Sequence, residues 1–260
     1  MEKKNIGCAV GHALACALVA DIRVLGGLVV VITVLYVLAE IIRKEECRSF
    51  RYLSLIGGYF ISYFFFLILF WPFLWHSPVK NLILSLVHMS HFPWYATVLY
   101  LGEYLKSTEL PWHYPFVWMG ITIPISIILL FFLGVVFPEA KTRYRVKRIA
   151  LLWVGLPLII VVALKPVLYD GWRHLFFVYP GIVLLSLLGF RKLVEFCKNE
   201  MKLVKVVGCI LICLVLINVT SVLVFSVRYH PNQQVYFNCF AGSWQRIKDR
   251  FEMDYWGVSY

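Results

Sequence analysis

Long stretches with almost no charged residue most constrain how this chain can fold. Leu53–Trp75 and Pro115–Phe137 contain no Asp, Glu, Lys, Arg or His, and Val24–Ile41 contains only Glu40. A helix of roughly 20 apolar residues crosses the hydrocarbon core of a bilayer. Strands of an outer-membrane barrel would alternate apolar and polar residues, and these runs do not. The sequence therefore predicts an all-α, polytopic transmembrane protein.

Composition agrees with this prediction and limits the classes of partner. The chain is 61% hydrophobic and 15% charged, whereas soluble domains are usually about a quarter charged. Its net charge of +11 could indicate nucleic-acid binding. However, the basic residues fall in short loops between apolar runs, as the positive-inside bias of membrane proteins requires. Membrane lipids are thus the expected partner, and nucleic acid is not.

We predict six to seven membrane spans. Six cover about residues 24–41, 53–75, 115–137, 149–165, 175–190 and 206–226. A shorter Ala- and Gly-rich piece, Ile6–Ala20, is either a seventh span or a re-entrant helix. The basic loops 42–52, 138–148 and 191–205 should face the cytoplasm, which places loops 76–114, 166–174 and 227–260 outside.

Two regions follow from this topology. Residues 1–226 form the predicted transmembrane domain, with outer loop 76–114, and residues 227–260 form an outer C-terminal segment. Within the outer loop, Val79–Met89 has apolar residues at helical spacing, as expected of a helix lying in the membrane interface. The aromatic tail stops abruptly at Tyr260, so we expect the segment to be truncated.

The outer loop contains histidines that are candidate metal ligands. His88 and His91 are three residues apart, a spacing that can hold zinc. No nearby carboxylate or cysteine completes a ligand set, so no metal site is predicted from them. The Trp and Tyr residues of "FPWY" and "PWHY" fit an aromatic belt, and the same rings could stack on sugar faces.

The stretch "YDGWRHLFFVYP" (169–180) places polar groups at the outer mouth of the fifth span. One interpretation is structural: Arg173 anchors the span at headgroup depth and pairs with Asp170. The other is functional: Arg173 and His174 bind a lipid-linked phosphate, since a guanidinium offers phosphate oxygens a charge-assisted fork. Asp21 and Arg23 pose a similar choice between a local ion pair and the lining of a polar cavity.

Several stretches together resemble a known family. They are "MSHFPWYATVLYLGEYLKSTELPWHYPFVWMGITIP", "LYDGWRHLFFVYP" and "HPNQQVYFN" with "FEMDYWGVSY". They resemble bacterial members of glycosyltransferase family 39, which are relatives of the dolichyl-phosphate-mannose–protein mannosyltransferases in the GT-C superfamily. The resemblance runs from about Ala9 to the end of the chain.

The resemblance implies a multi-pass enzyme of the bacterial inner membrane with a GT-C-like fold. Such an enzyme transfers a sugar from a polyprenyl-phosphate carrier to a hydroxyl of a protein or glycan on the outer face. By motif position, Arg173 and His174 would bind the donor phosphate. The residues that would line the substrate cavity are Asp170, Trp172, His91, Trp94, His113 and Tyr114. No cofactor is assigned, and the need for a divalent metal stays open.

One departure from the family pattern concerns the general base. The family keeps its acidic residues in the first outer loop, whereas this chain opens with "GHALACALVADIRVLGG", which resembles a segment from the middle of the membrane domain. The base is therefore expected outside these residues, and Asp170 is not expected to replace it. We expect a C-terminal portion that is incomplete alone. The alternative is a non-catalytic membrane protein that binds a lipid carrier, or a transporter.

Overall fold

The chain folds into two helical units. A computed structural model describes residues 6–22, 24–43, 50–90, 96–198 and 200–254, and its units are Met1–Phe92 and Pro93–Tyr260. The prediction of an all-α fold is confirmed, with the addition of one short β-hairpin. The predicted division at residue 226, between membrane and outer segments, stays a prediction.

The described residues of the first unit form four α-helices: α1 (Ile6–Ile22), α2 (Leu28–Arg43), α3 (Phe50–Phe70) and α4 (Pro78–Ser90). Small side chains on α1, such as Ala13 and Ala17, are fully buried in a core that also contains Tyr63 and Leu67 of α3. Small residues let two apolar helices approach closely. The helix predicted at Val79–Met89 is confirmed as α4. The 17 residues of α1 fit either a short span or a re-entrant helix.

The second unit begins with a hairpin and continues with helices. Strands β1 (Thr97–Tyr100) and β2 (Glu103–Lys106) are antiparallel, with Tyr100 opposite Glu103. The helices are α5 (Tyr114–Thr122), α6 (Ile125–Val136), α7 (Lys141–Leu164), α8 (Tyr179–Cys197), α9 (Lys202–Arg228) and α10 (Trp244–Arg250). A 3₁₀ turn over Arg173–Val178 leads into α8.

Three helices in the described part of the chain are long and apolar enough to cross a membrane. They are Arg143–Leu164, Arg173–Cys197 and Lys202–Arg228, and the pair α5 and α6 makes a fourth if it is one bent span. Shorter apolar helices lie at Ile6–Ile22, Leu28–Ile42 and Ser54–Phe70. These helices indicate a membrane protein. The prediction of six to seven spans exceeds the three or four span-length helices found here, and it stays a prediction.

The predicted span 115–137 is broken rather than continuous. Helices α5 and α6 meet at an angle of 117°. The cause is Pro124, which cannot donate a backbone hydrogen bond and disfavours helical backbone at the residue before it. Ile123 accordingly has the extended angles φ −82° and ψ 136°.

Two asparagine side chains, one of them buried, satisfy the backbone groups that this break exposes. The Asn238 side-chain amide donates to the carbonyls of Gly120 and Ile123, at 2.6 and 2.7 Å. The Asn218 Oδ1, within α9, accepts from the N–H of Ser126 in the first turn of α6 at 3.2 Å. Buried backbone polar groups need such partners because leaving them unpaired costs free energy. The break is therefore a built feature of the second unit.

One end of the second unit is held together by a buried acid. The Glu139 side chain is 1% exposed and lies within 3.2–4.0 Å of Arg143, Arg191 and Lys192. Lys147 is also buried and donates to two carbonyls at the end of α6 at 2.7 Å. The predicted basic loops 138–148 and 191–205 thus meet at one end of this unit.

Candidate functional site

A tight turn before α8 brings the predicted phosphate-binding residues together. Asp170 (φ 54°) and Gly171 (φ 69°) are both left-handed, a conformation that glycine adopts freely and aspartate tolerates. A Cβ at Gly171 would lie 3.3 Å from the Trp118 ring, so the backbone approaches that ring closely. This turn directs Asp170 back toward Arg173.

Asp170 and Arg173 form an ion pair. The Arg173 Nη1 lies 3.0 Å from the Asp170 Oδ2, and the two side chains are 24% and 20% exposed. Burial raises the pKa of Asp170, and the charge of Arg173 acts against this rise. The sequence predicted such a pair as the structural alternative to phosphate binding. Its presence does not exclude the functional role, because a guanidinium has five donors and can contact a carboxylate and a phosphate together.

Tyr169 connects Arg173 with His174. The Arg173 guanidinium carbon lies 4.6 Å from the centre of the Tyr169 ring, within the range of cation–π attraction. The His174 ring packs edge-on against the same tyrosine at 4.7 Å. The two residues predicted to bind phosphate therefore share one aromatic support at the start of a span-length helix.

Two of the predicted cavity residues lie in the core beneath this turn. Tyr114 is fully buried, and its hydroxyl accepts the Gly171 N–H at 3.0 Å. Trp172 is 8% exposed and donates from Nε1 to the Thr122 hydroxyl at 2.8 Å. In this structure both side chains support the backbone of the turn rather than face an open cavity.

His113 is connected to the turn through tyrosines. Its Nδ1 shares a 2.6 Å hydrogen bond with the Tyr100 hydroxyl, and the Tyr100 ring packs against the Tyr114 ring at 5.0 Å with a tilt of 57°. Burial raises the pKa of Tyr100 to about 12, so this hydroxyl stays neutral. Of the other predicted cavity residues, His91 and Trp94 lie outside the described residues, as does Arg23.

Glu252 is a site residue that the sequence did not reveal. It follows Phe251, which forms an antiparallel bridge to Tyr100, and its Oε1 accepts from the Leu99 N–H at 3.4 Å. Burial raises the pKa of Glu252 to about 7; the Leu99 hydrogen bond opposes this rise, and the charge of Asp170 adds to it. The available signal was two acids, Glu252 and Asp254, within the aromatic run "FEMDYW", and nothing in the sequence distinguishes one from the other.

The first unit contains a separate apolar cleft. Its volume is about 320 Å³ and it lies between α1, α2 and α3, near the lower limit of about 300 Å³ for small-molecule sites. Its polar lining residues are His12, Thr33 and Tyr59. The side chains of His12 and Tyr59 each lie 3.5 Å from the Cys16 sulfur. Apolar walls with a small polar group fit one end of a lipid.

Among the residues that the structure describes, no three His, Cys, Asp or Glu side chains are grouped as metal ligands would be.

Comparison with protein-family models, curated proteins and solved structures finds no match to this chain. The geometry of the 169–174 turn and its surroundings is therefore the basis for a functional proposal.

Proposed function

We propose that the chain takes part in sugar transfer from a polyprenyl-phosphate carrier, and that it contributes the side of the site that binds the donor phosphate. The acceptor would be a hydroxyl of a protein or glycan on the outer face of the membrane. This proposal adopts the resemblance to family 39 and to the GT-C superfamily, with six to seven spans.

One observation carries the proposal: Arg173 and His174 share the Tyr169 ring at the N-terminal edge of a span-length helix. At this depth a lipid-linked phosphate would meet a partly dehydrated guanidinium, where charge-assisted hydrogen bonds are strong. The partial positive charge of a helix N-terminus also favours an anion. The role of Arg173 would be to hold the departing phosphate as the bond to the sugar breaks.

A binding assay tests this role without knowledge of the sugar. The full chain is reconstituted in lipid nanodiscs with farnesyl methyl phosphate, a polyprenyl phosphodiester of constant single charge. We expect Arg173→Ala to weaken binding by roughly tenfold or more, since a charged hydrogen bond to phosphate is lost. Arg228→Ala is the matched control, because Arg228 also lies at a span end over a tyrosine ring, at 5.8 Å.

Equal effects of the two variants would contradict the proposal and assign Arg173 to membrane anchoring. Catalysis is tested separately, with membranes that contain the chain alone or together with the product of the coding region upstream. A panel of labelled polyprenyl-phosphate sugars serves as donors. Transfer by the combination and not by the chain alone would support the expected division of the active site.

A second candidate function is carrier binding without catalysis. The apolar cleft of the first unit favours it, since α1, α2 and α3 enclose a space suited to a lipid chain. Binding of the phosphodiester without transfer from any donor, in either membrane preparation, would favour this candidate over the transferase.

A further inference from the structure

The Glu252 carboxyl belongs to the same aromatic core as the Asp170 turn. The Phe251 ring packs on Trp118 at 5.4 Å, and Trp118 is also the ring against which Gly171 is placed. Gly171 and Phe251 thus both lie against Trp118. Asp170 and Glu252 are the residues next to them in the chain, so they belong to one region although they are distant in sequence. The bridge to Tyr100 and the Leu99 N–H fix the backbone and Oε1 of Glu252 there.

The second oxygen of this carboxyl is shielded from solvent by the packing around it. The Glu252 Oε2 is buried and has no hydrogen-bond partner among the described residues. A buried carboxylate with a single long hydrogen bond is destabilised relative to its neutral form. The raised pKa of Glu252, about 7, follows from this burial first. Its charge consequently changes within the physiological pH range.

The charged and titratable groups around Glu252 come from the 169–174 turn, from α5 and from β1, where Tyr100 forms a bridge with Phe251. Asp170 in the turn is close enough for the two carboxyl charges to interact, and Asp170 is the ion-pair partner of Arg173. Tyr114 in α5 is a further titratable side chain, and its hydroxyl accepts the Gly171 N–H at 3.0 Å. His174 lies in the same turn and is a second titratable group that any pH experiment must separate from Glu252.

We propose that Glu252 is a positioning residue for the donor-phosphate site, and that it sets the charge presented there by acting through Asp170. This inference rests on the proposed function. With Glu252 neutral, the charges of Asp170 and Arg173 balance each other. With Glu252 ionised, one more negative charge acts on the same pair and disfavours an incoming phosphate anion.

The experiment measures phosphodiester affinity against pH. Binding of farnesyl methyl phosphate to the wild-type chain in nanodiscs is measured at about pH 5.5 and about pH 8.5, on either side of the Glu252 titration. We expect the affinity to fall roughly threefold to tenfold as pH rises, the effect of adding one screened negative charge near the site. Glu252→Gln keeps an oxygen for the Leu99 N–H and removes the charge, so its affinity should stay at the low-pH value throughout.

Two controls assign the titration. Glu103→Gln removes an exposed carboxylate of the same unit and should leave the wild-type pH dependence unchanged. His174→Gln tests the other titratable group. If His174→Gln and not Glu252→Gln removes the pH dependence, the inference about Glu252 is wrong. Thermal unfolding of each variant checks that it is folded.

Failure of this inference is distinguishable from failure of the proposed function. If the wild-type chain binds no better than Arg173→Ala at either pH, the phosphate site itself is refuted. If the wild-type chain binds well and Glu252→Gln shows the same pH dependence, only the role of Glu252 is refuted. Loss of the dependence in Glu252→Gln with binding intact supports both.

Discussion

Asn238 illustrates how one side chain can stabilise a broken helix. Its amide donates to two carbonyls at the break, at Gly120 and Ile123, while its Oδ1 accepts from the Phe240 N–H at 2.9 Å. The residue is 5% exposed. An amide is needed here because it alone combines two donors with an acceptor in this small volume.

Asn238→Asp is expected to destabilise the second unit by about 2–4 kcal/mol, because it replaces two donors by a buried carboxylate facing two carbonyls. The measurement is thermal unfolding in detergent at neutral pH. Gln234→Glu makes the same chemical change at an exposed position of the same segment, and should alter stability by no more than about 0.5 kcal/mol. Similar effects from both variants would show that the contacts of Asn238 contribute little.

The Glu252 and Asn238 interactions show where prediction from sequence stops. Arg173, His174 and Asp170 could be selected because they adjoin one another in a short motif beside an apolar run. Glu252 and Asn238 gain their roles only from partners in distant segments, such as Leu99 and Ile123. Such pairings depend on tertiary packing, which local pattern does not encode.

Helices α6 and α8 pack against each other through glycines. A Cβ at Gly134 would lie 1.9 Å from the Leu185 carbonyl oxygen, and a Cβ at Gly189 would lie 1.9 Å from that of Leu130. The two backbones are therefore in direct contact, as at small-residue interfaces between membrane helices. No side chain could be accommodated without moving one helix.

Gly134→Ala and Gly189→Ala should each destabilise the second unit by about 1–3 kcal/mol through overpacking. The matched control is Gly155→Ala in α7, where a Cβ would meet nothing within 4 Å. This control should be neutral or stabilise the helix by up to about 1 kcal/mol. Unfolding temperatures in detergent decide the matter, and equal values for all three variants would contradict the packing argument.

At the element scale, hydropathy predicted which segments are helical because that signal is local and strong. It did not predict that residues 115–137 form two helices. Pro124 lies within this run and is a recognised breaker, but many apolar helices contain a proline without a sharp bend, including α7 at Pro157. The 117° bend is also stabilised by the side chains of Asn218 in α9 and Asn238 after it, which satisfy backbone groups exposed at the break.

For the second unit as a whole, the two ends differ in chemistry. Basic residues surround Glu139 at the N-terminal end of α7. The turn that contains Asp170 follows the C-terminal end of the same helix. The 24 residues of α7 separate them by about 36 Å. This polarity agrees with the predicted topology, in which the basic end faces the cytoplasm.

Cysteine labelling in intact cells tests this orientation. In a background that lacks the other cysteines, Cys239 is retained in one variant and Lys198→Cys is introduced in another; both positions are exposed. A membrane-impermeant maleimide should label Cys239 directly and the Lys198→Cys variant only after the membrane is disrupted. Labelling in the reverse order would show that the basic end faces outward.

The Asn238 contact also has a consequence for biosynthesis. Its partner Ile123 precedes it by 115 residues, and ribosomes add about 5–20 residues per second. Asn238 is therefore synthesised roughly 6–23 s after Ile123, and until then its side-chain amide is not present to bind the carbonyls of the α5–α6 break. During that interval the carbonyls of the break must be satisfied by water or by the insertion machinery, so the nascent chain is most exposed to quality control before its tail emerges.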